Sequence, residues 1–377
     1  MIPALRAPLH LLAAGLLLAA GLAPAPAKAG PVAPPPGEVV LPTKMCGRFF
    51  LVPMIVDGEE DKSLVLLLDT GANHTVIDPD SAYRVTGKHA NKGDWVKLKN
   101  LSAGPINLGK LQARARNLDH ISRALGSAID GILGFPAFAD QLLILDYPSR
   151  QVRLGKGRLE EGKDVLALSQ GDRTRPWISL DIAGRKRQVL IDSGSGNGLV
   201  LYRSNSYTWF NKPLPVRSSM RINRLELREM GRLEAELRFG DVTLLHPLVE
   251  LTSNTQLMGT AILKNFVLTF DQRNHLMRIR YAGENPIHQP PLLGTGLVFN
   301  PKHGGLQVVR VLDGSPADAA GIRKGDTVTA VDGRSVHKRA CGSFGQRFTE
   351  DDEEVILTVK RRGVAVDITV GIVEIVP

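Results

Sequence analysis

Aromatic residues are scarce in this chain: three tryptophans, five tyrosines and eleven phenylalanines in 377 residues. So small a supply argues against the stacking platforms that hold single-stranded nucleic acid. Cysteine is scarcer still. Cys46 and Cys341 cannot build a disulfide scaffold, and their spacing fits no metal motif. They could pair in an oxidising compartment, but they fall in different segments, and two independent thiols is the reading at this level. The nine histidines are scattered, with no His-x-x-x-His pair beside a glutamate, so a zinc protease is unsupported. No metal and no cofactor is expected. After residue 22 no apolar run approaches the roughly 20 residues of a membrane span. Long helical periodicity is missing between residues 38 and 283, although Ile121 to Leu125 could form a short helix.

What is present begins with a positive charge of +9, which drops by two to +7 without Arg6 and Lys28. Spread along the chain, it describes a solvated surface rather than a nucleic-acid footprint. Residues 1–29 have the form of a secretory signal peptide. Arg6 supplies the charge, Leu11 to Leu22 the apolar core, and Ala27-Lys28-Ala29 the cleavage site before Gly30. No cysteine stands at that site to carry a lipid anchor. The expected location is therefore outside the cytoplasm, periplasmic or secreted, with no stable membrane span after cleavage.

The central feature is a repeated acidic triplet, Asp69-Thr70-Gly71 and Asp192-Ser193-Gly194, with 123 residues between equivalent positions. Each follows an aliphatic run, Leu64 to Leu68 and Val189 to Ile191. A carboxylate at the end of a buried strand is costly unless paired or hydrogen-bonded. Two such ends suggest one shared site. The repeat continues downstream. Ile132-Leu133-Gly134 and Leu257-Met258-Gly259 place a glycine 65 and 67 residues after the respective aspartates. Asp146 and Asp271 then follow those glycines by 12 residues each, before a closing strand. These last two aspartates read as structural turn residues. The repeat is too long for a solenoid and implies two related lobes.

On these residues the chain resembles the aspartic proteases. Asp69-Thr70-Gly71-Ala72 is similar to the retropepsin form of the motif, and Asp192-Ser193-Gly194-Ser195 to the second-lobe form of pepsin-like enzymes. Asp130-Gly131-Ile132-Leu133-Gly134-Phe135-Pro136 resembles bacterial retropepsin-like proteins. The resemblance implies a mainly β fold with two homologous lobes, residues 38–163 and 164–283, after a proline-rich linker at 30–37. It implies Asp69 and Asp192 as the catalytic pair, supported by Thr70, Gly71 and Ala72 and by Ser193, Gly194 and Ser195. A glycan at the acceptor Asn73-His74-Thr75 would obstruct the first loop, which favours a bacterial source.

Beyond a second linker at 284–291, residues 292–377 change character. Gly294-Thr295-Gly296-Leu297-Val298-Phe299, Gly314-Ser315-Pro316-Ala317, Ala320-Gly321-Ile322, Lys324-Gly325-Asp326 and Val331-Asp332-Gly333 follow in an order that resembles a PDZ domain of the bacterial protease-associated kind. That resemblance implies a β-rich module that binds peptide C-termini, with Gly294, Thr295, Gly296 and Leu297 as the loop that holds the carboxylate.

Two carboxylates at hydrogen-bond distance cannot both ionise, so one pKa rises while the other falls. Such a pair can take a proton from an attacking water and donate one to the peptide carbonyl. The expected activity is endoproteolysis of polypeptide substrates, with no nucleic-acid partner. The competing expectation is an inactive relative that binds exported polypeptides without cutting them. A third arrangement would pair lobes of separate chains in an intertwined dimer. A hydroxyl at Ser195, where the first loop has Ala72, is expected to donate to Asp192 and lower its pKa. With a hydroxyl on one side alone, the pair should be less acidic than one flanked by two. Substrate-covering segments are sought at Trp95 to Leu108 and at Met220 to Phe239.

Overall fold

The computed structural model describes residues 36–221, 224–302, 304–336, 341 and 348–377. The signal-peptide segment 1–29 and the linker up to residue 35 lie outside the described residues. The fold is mainly β, and the longest described helix is Pro79–Thr86. A short helix, Asp119–Leu125, covers the stretch where one was expected. No helix among the described residues is long and apolar enough to cross a membrane.

Strand patterns follow burial. Along Trp177–Ile182, Ile178, Leu180 and Ile182 are buried while Ser179 and Asp181 are exposed, the period-two alternation of a half-covered strand. The strands leading to the two aspartates differ. Leu66, Leu67 and Leu68 are all buried, as are Val189, Leu190 and Ile191, because protein covers both faces.

Two sheets repeat one topology. In the first, the strand order is Phe49–Val56, Glu59–Asp69, Gly131–Gly134, Thr75–Ile77, Leu111–Ala115 and Trp95–Leu98. In the second it is Trp177–Ile182, Arg185–Asp192, Leu257–Gly259, Leu199–Tyr202, Leu248–Thr252 and Arg224–Arg232, with Leu214–Arg221 added at the edge. Successive neighbours alternate antiparallel, parallel, antiparallel, parallel, antiparallel in both. A third sheet joins the halves in the order Glu38–Leu41, Gln151–Gly155, Leu142–Asp146, Phe266–Asp271, Leu276–Tyr281, Val165–Ala167. Its centre pairs Leu143 with Phe270 and Leu145 with Leu268. One apolar core runs through all three sheets. Asp146 accepts from the Ser149 N–H at 2.9 Å and pairs with Arg153 at 2.6 Å. Asp271 accepts from the N–H groups of Leu159 and Asn274. Both are turn residues, as expected.

The C-terminal sheet runs Leu297–Lys302, Gly305–Val311, Thr327–Val331, Glu354–Arg361, Val364–Gly371, so Leu297–Lys302 is an edge strand. A small core of Val308, Ala317, Ile322, Val328, Leu357 and Val359 lies against it. The preceding stretch 284–291 is not a free tether. Ile287–His288 pairs with Val242–Leu245, and the Gln289 side chain accepts from the Leu248 N–H.

Cys46 and Cys341 form a disulfide, with Cα atoms 4.9 Å apart. The expectation of two independent thiols was wrong. Packing of the C-terminal segment beside the first half brings together positions separated by 295 residues, a proximity no sequence spacing encodes.

Candidate functional site

Each aspartate stands where its strand meets a parallel neighbour that ends in glycine. Asp69 lies opposite Gly134, and Asp192 opposite Gly259. The loop after each aspartate folds back over that glycine. A Cβ on Gly134 would come within 2.6 Å of the His74 carbonyl oxygen and 3.0 Å of that of Ala72. One on Gly259 would come within 2.6 Å of the Asn197 oxygen and 2.7 Å of that of Ser195. The following residue then donates to the loop: Phe135 N–H to the Ala72 carbonyl at 3.0 Å, Thr260 N–H to the Ser195 carbonyl at 2.8 Å. Only glycine permits this closeness.

The two loops hold each other reciprocally. The Thr70 N–H donates to the Ser193 hydroxyl, and the Ser193 N–H donates to the Thr70 hydroxyl, both at 2.9 Å. Each hydroxyl in turn donates to the carbonyl before the opposite aspartate: Thr70 to Ile191 at 2.7 Å, Ser193 to Leu68 at 3.0 Å. Thr70 and Ser193 are essentially fully buried, so all four bonds are shielded from water and costly to leave unmade.

This lock brings the carboxylates face to face. A Cβ on Gly71 would sit 2.6 Å from Cγ of Asp192, and one on Gly194 would sit 2.3 Å from Cγ of Asp69. Each carboxylate accepts from the N–H two residues on, Gly71 at 2.8 Å and Gly194 at 3.0 Å. The two side chains are within hydrogen-bonding reach of each other. Protein encloses them on most sides, yet both keep a partial opening to solvent. Burial raises the pKa of Asp69, and it raises Asp192 well above the ordinary value, with the Asp69 charge adding to the effect. Such a pair holds one proton between its members, which is the arrangement needed to activate a water and protonate a carbonyl.

Ser195 does not play the part expected of its hydroxyl. Its backbone N–H acts on Asp192, while the hydroxyl accepts from the Asn197 N–H at 3.3 Å. The side chain is turned toward Gly259 by the loop's return over that glycine. Ala72 provides the matching backbone N–H to Asp69.

Three neighbours of the pair escaped sequence reasoning. Arg48 donates from its guanidinium to the Gly196 carbonyl at 3.1 Å, reaching from the first half to the second loop. Arg217 donates to the Asn197 side chain at 3.3 Å. Tyr147, fully enclosed beside Phe50, has a phenol pushed upward by burial and by both aspartate charges. The only trace of Tyr147 in the sequence is its place after the repeated Asp146. The candidate covering stretch Met220 to Phe239 overlaps the hairpin of Leu214–Arg221 and Arg224–Arg232. The stretch Trp95 to Leu108 forms three short strands, Trp95–Leu98, Ser102–Ala103 and Ile106–Asn107.

In the C-terminal segment the glycine loop is pinned inward. The Thr295 carbonyl accepts from Ala317 N–H at 3.0 Å and that of Gly296 from Leu312 N–H at 2.9 Å. Gly296 has φ +85°, and a Cβ there would lie 2.2 Å from the Ser315 side chain. Gly294 pairs with Val373 in a short ladder, so Thr295 and Gly296 form the turn itself, and Leu297 begins the edge strand. Residues 291–372 match the PDZ domain family. This segment is a PDZ domain. The match does not extend to the two aspartates, and no curated protein matches the chain. PDZ domains bind peptides as an added strand at a sheet edge, and Leu297–Lys302 is one of the edges of this sheet.

Proposed function

We propose that the chain is an exported aspartic endopeptidase in which residues 38–283 form the two lobes and Asp69 and Asp192 activate the hydrolytic water. The observation that carries this reading is the reciprocal Thr70–Ser193 lock, which presents two carboxylates to one point from two copies of one topology. Both carboxylates come from one chain, so pairing of lobes between chains is not required. One member of the pair, ionised, takes a proton from water as it attacks the peptide carbonyl. The other donates to the carbonyl oxygen, and the roles reverse to protonate the leaving amine. The PDZ domain would recruit polypeptides or govern their access. The Cys46–Cys341 disulfide supports an export reading, because such bonds persist in oxidising compartments.

The test is cleavage of an unfolded, carboxymethylated protein by wild type, Asp69→Asn and Asp192→Asn, with and without a statine-type transition-state mimic. Cleavage by the wild type alone, suppressed by the mimic, is expected. No cleavage by wild type, or equal cleavage by all three, would leave a polypeptide-binding protein without catalysis.

A further inference from the structure

Two of the contacts that fasten the PDZ domain to the rest of the protein each lie beside a side chain that grips the loop after Asp192. At one point the Cys341 disulfide reaches Cys46, two residues before Arg48, which donates to Gly196. At the other, the Ser218 hydroxyl donates to the Phe299 carbonyl, one residue after Arg217, which donates to Asn197. Consecutive residues of a strand point to opposite faces. The strand Leu214–Arg221 therefore turns Arg217 toward the dyad loop and Ser218 toward the PDZ domain. A register shift between Pro215 and Arg217 lies where these side chains are aimed.

The PDZ strand that Ser218 meets is Leu297–Lys302, the edge strand, and Leu214–Arg221 packs alongside it. That edge is where a polypeptide would add. Nearby, a cavity of about 420 Å³ opens between Leu214 of the hairpin and PDZ residues including Leu312, Ser315, Pro316 and Val373. The edge is thus already engaged from within the chain.

We propose that the hairpin strand Leu214–Arg221 is an internal ligand of the PDZ domain. An incoming unfolded polypeptide must displace it from the edge strand, and the displacement frees Arg217 from Asn197 beside Asp192. The occlusion stands on the contacts alone; its consequence for cleavage rests on the peptidase reading.

The experiment uses the full chain carrying Asp69→Asn, so that binding is read without cutting. The probe is fluorescein-labelled, reduced and carboxymethylated lactalbumin, and amide hydrogen exchange is followed at 214–221 and 297–302. Ser218→Lys, which wedges a long cation between the strands, is expected to tighten probe binding about tenfold by removing the internal competitor. Exchange in both strands should accelerate without probe. Ser218→Val removes only the donor and should shift both readouts the same way by about threefold. It decides the matter alone if the lysine variant does not fold. With Ser218 intact, adding probe should speed exchange at 214–221 as the hairpin leaves. Unchanged affinity in a folded variant, or a hairpin that stays protected when the probe binds, would overturn the proposal. Absence of cleavage by the wild type would sink the peptidase reading and leave these measurements standing.

Discussion

The loops after Asp69 and Asp192 share a scaffold and differ in what holds them. Both have a glycine strand in parallel, a carbonyl folded over that glycine, and a hydroxyl locked into the other loop. The first loop is held from within its own half, and its His74 packs edge-on against Trp95. The second is gripped by two arginines as well, one of them from across the halves. Arg48 reaches it from the first half and Arg217 from the hairpin, and both anchors lead on to the PDZ domain. Repetition therefore builds the carboxylate pair, and asymmetry connects one member of it to the PDZ domain.

Equivalence of the two carboxylates is tested first by their removal. Asp69→Asn and Asp192→Asn should each reduce cleavage of an unfolded protein about a thousandfold or more. A residual rate differing more than tenfold between them would break the comparison at its centre. Next come the glycines that touch the opposite carboxylate. Gly71→Ala and Gly194→Ala should each cost about 2–4 kcal/mol in urea unfolding, since neither Cβ has room.

The hydroxyl lock is the third comparison. Thr70→Val strands the Ser193 N–H and the Ile191 carbonyl; Ser193→Ala strands the Thr70 N–H and the Leu68 carbonyl. Each should destabilise by about 2–3 kcal/mol, and near-equal values would confirm that the lock is symmetric.

Dependence on pH tests the two aspartates as one pair. Each holds its proton more tightly folded than unfolded, so the protonated pair's contribution is complete below the ordinary aspartate value of 3.8. It is lost as pH rises through the folded values. Thermal melts should therefore show both Asp192→Asn and Asp69→Asn gaining stability over wild type as pH rises from 4 to 8. The smallest effect is expected from Ser195→Ala. Its hydroxyl accepts only a 3.3 Å bond from Asn197, so the cost should stay under about 1 kcal/mol. The acid limb of a pH–rate profile should not move; a clear shift would mean the hydroxyl does act on Asp192.

Much of the site was legible because its parts are local. An aliphatic run ending in Asp-Ser/Thr-Gly specifies a buried strand end with a tight turn, and the recurrence of Ile-Leu-Gly and Leu-Met-Gly marks the strand that must lie beside it. The PDZ turns were legible for the same reason, since each glycine serves a turn within a few residues. Ser195 misled because its N–H and its hydroxyl both could reach a carboxylate, and only the path of the loop over Gly259 decided between them. The packing of the linker 284–291 was not legible because the edge at Val242–Leu245 that offers it backbone partners lies far away in the sequence.

By itself the sequence determined the β architecture, the two aspartates with their supporting glycines and hydroxyls, and the terminal PDZ domain, all through short-range patterns. Tertiary structure alone decided that Cys46 meets Cys341, that Arg48 and Arg217 converge on one loop, and that the hairpin lies on the PDZ edge. Those contacts join positions far apart in the chain. Their formation depends on how whole sheets pack, a property spread over the core rather than written at the residues that touch.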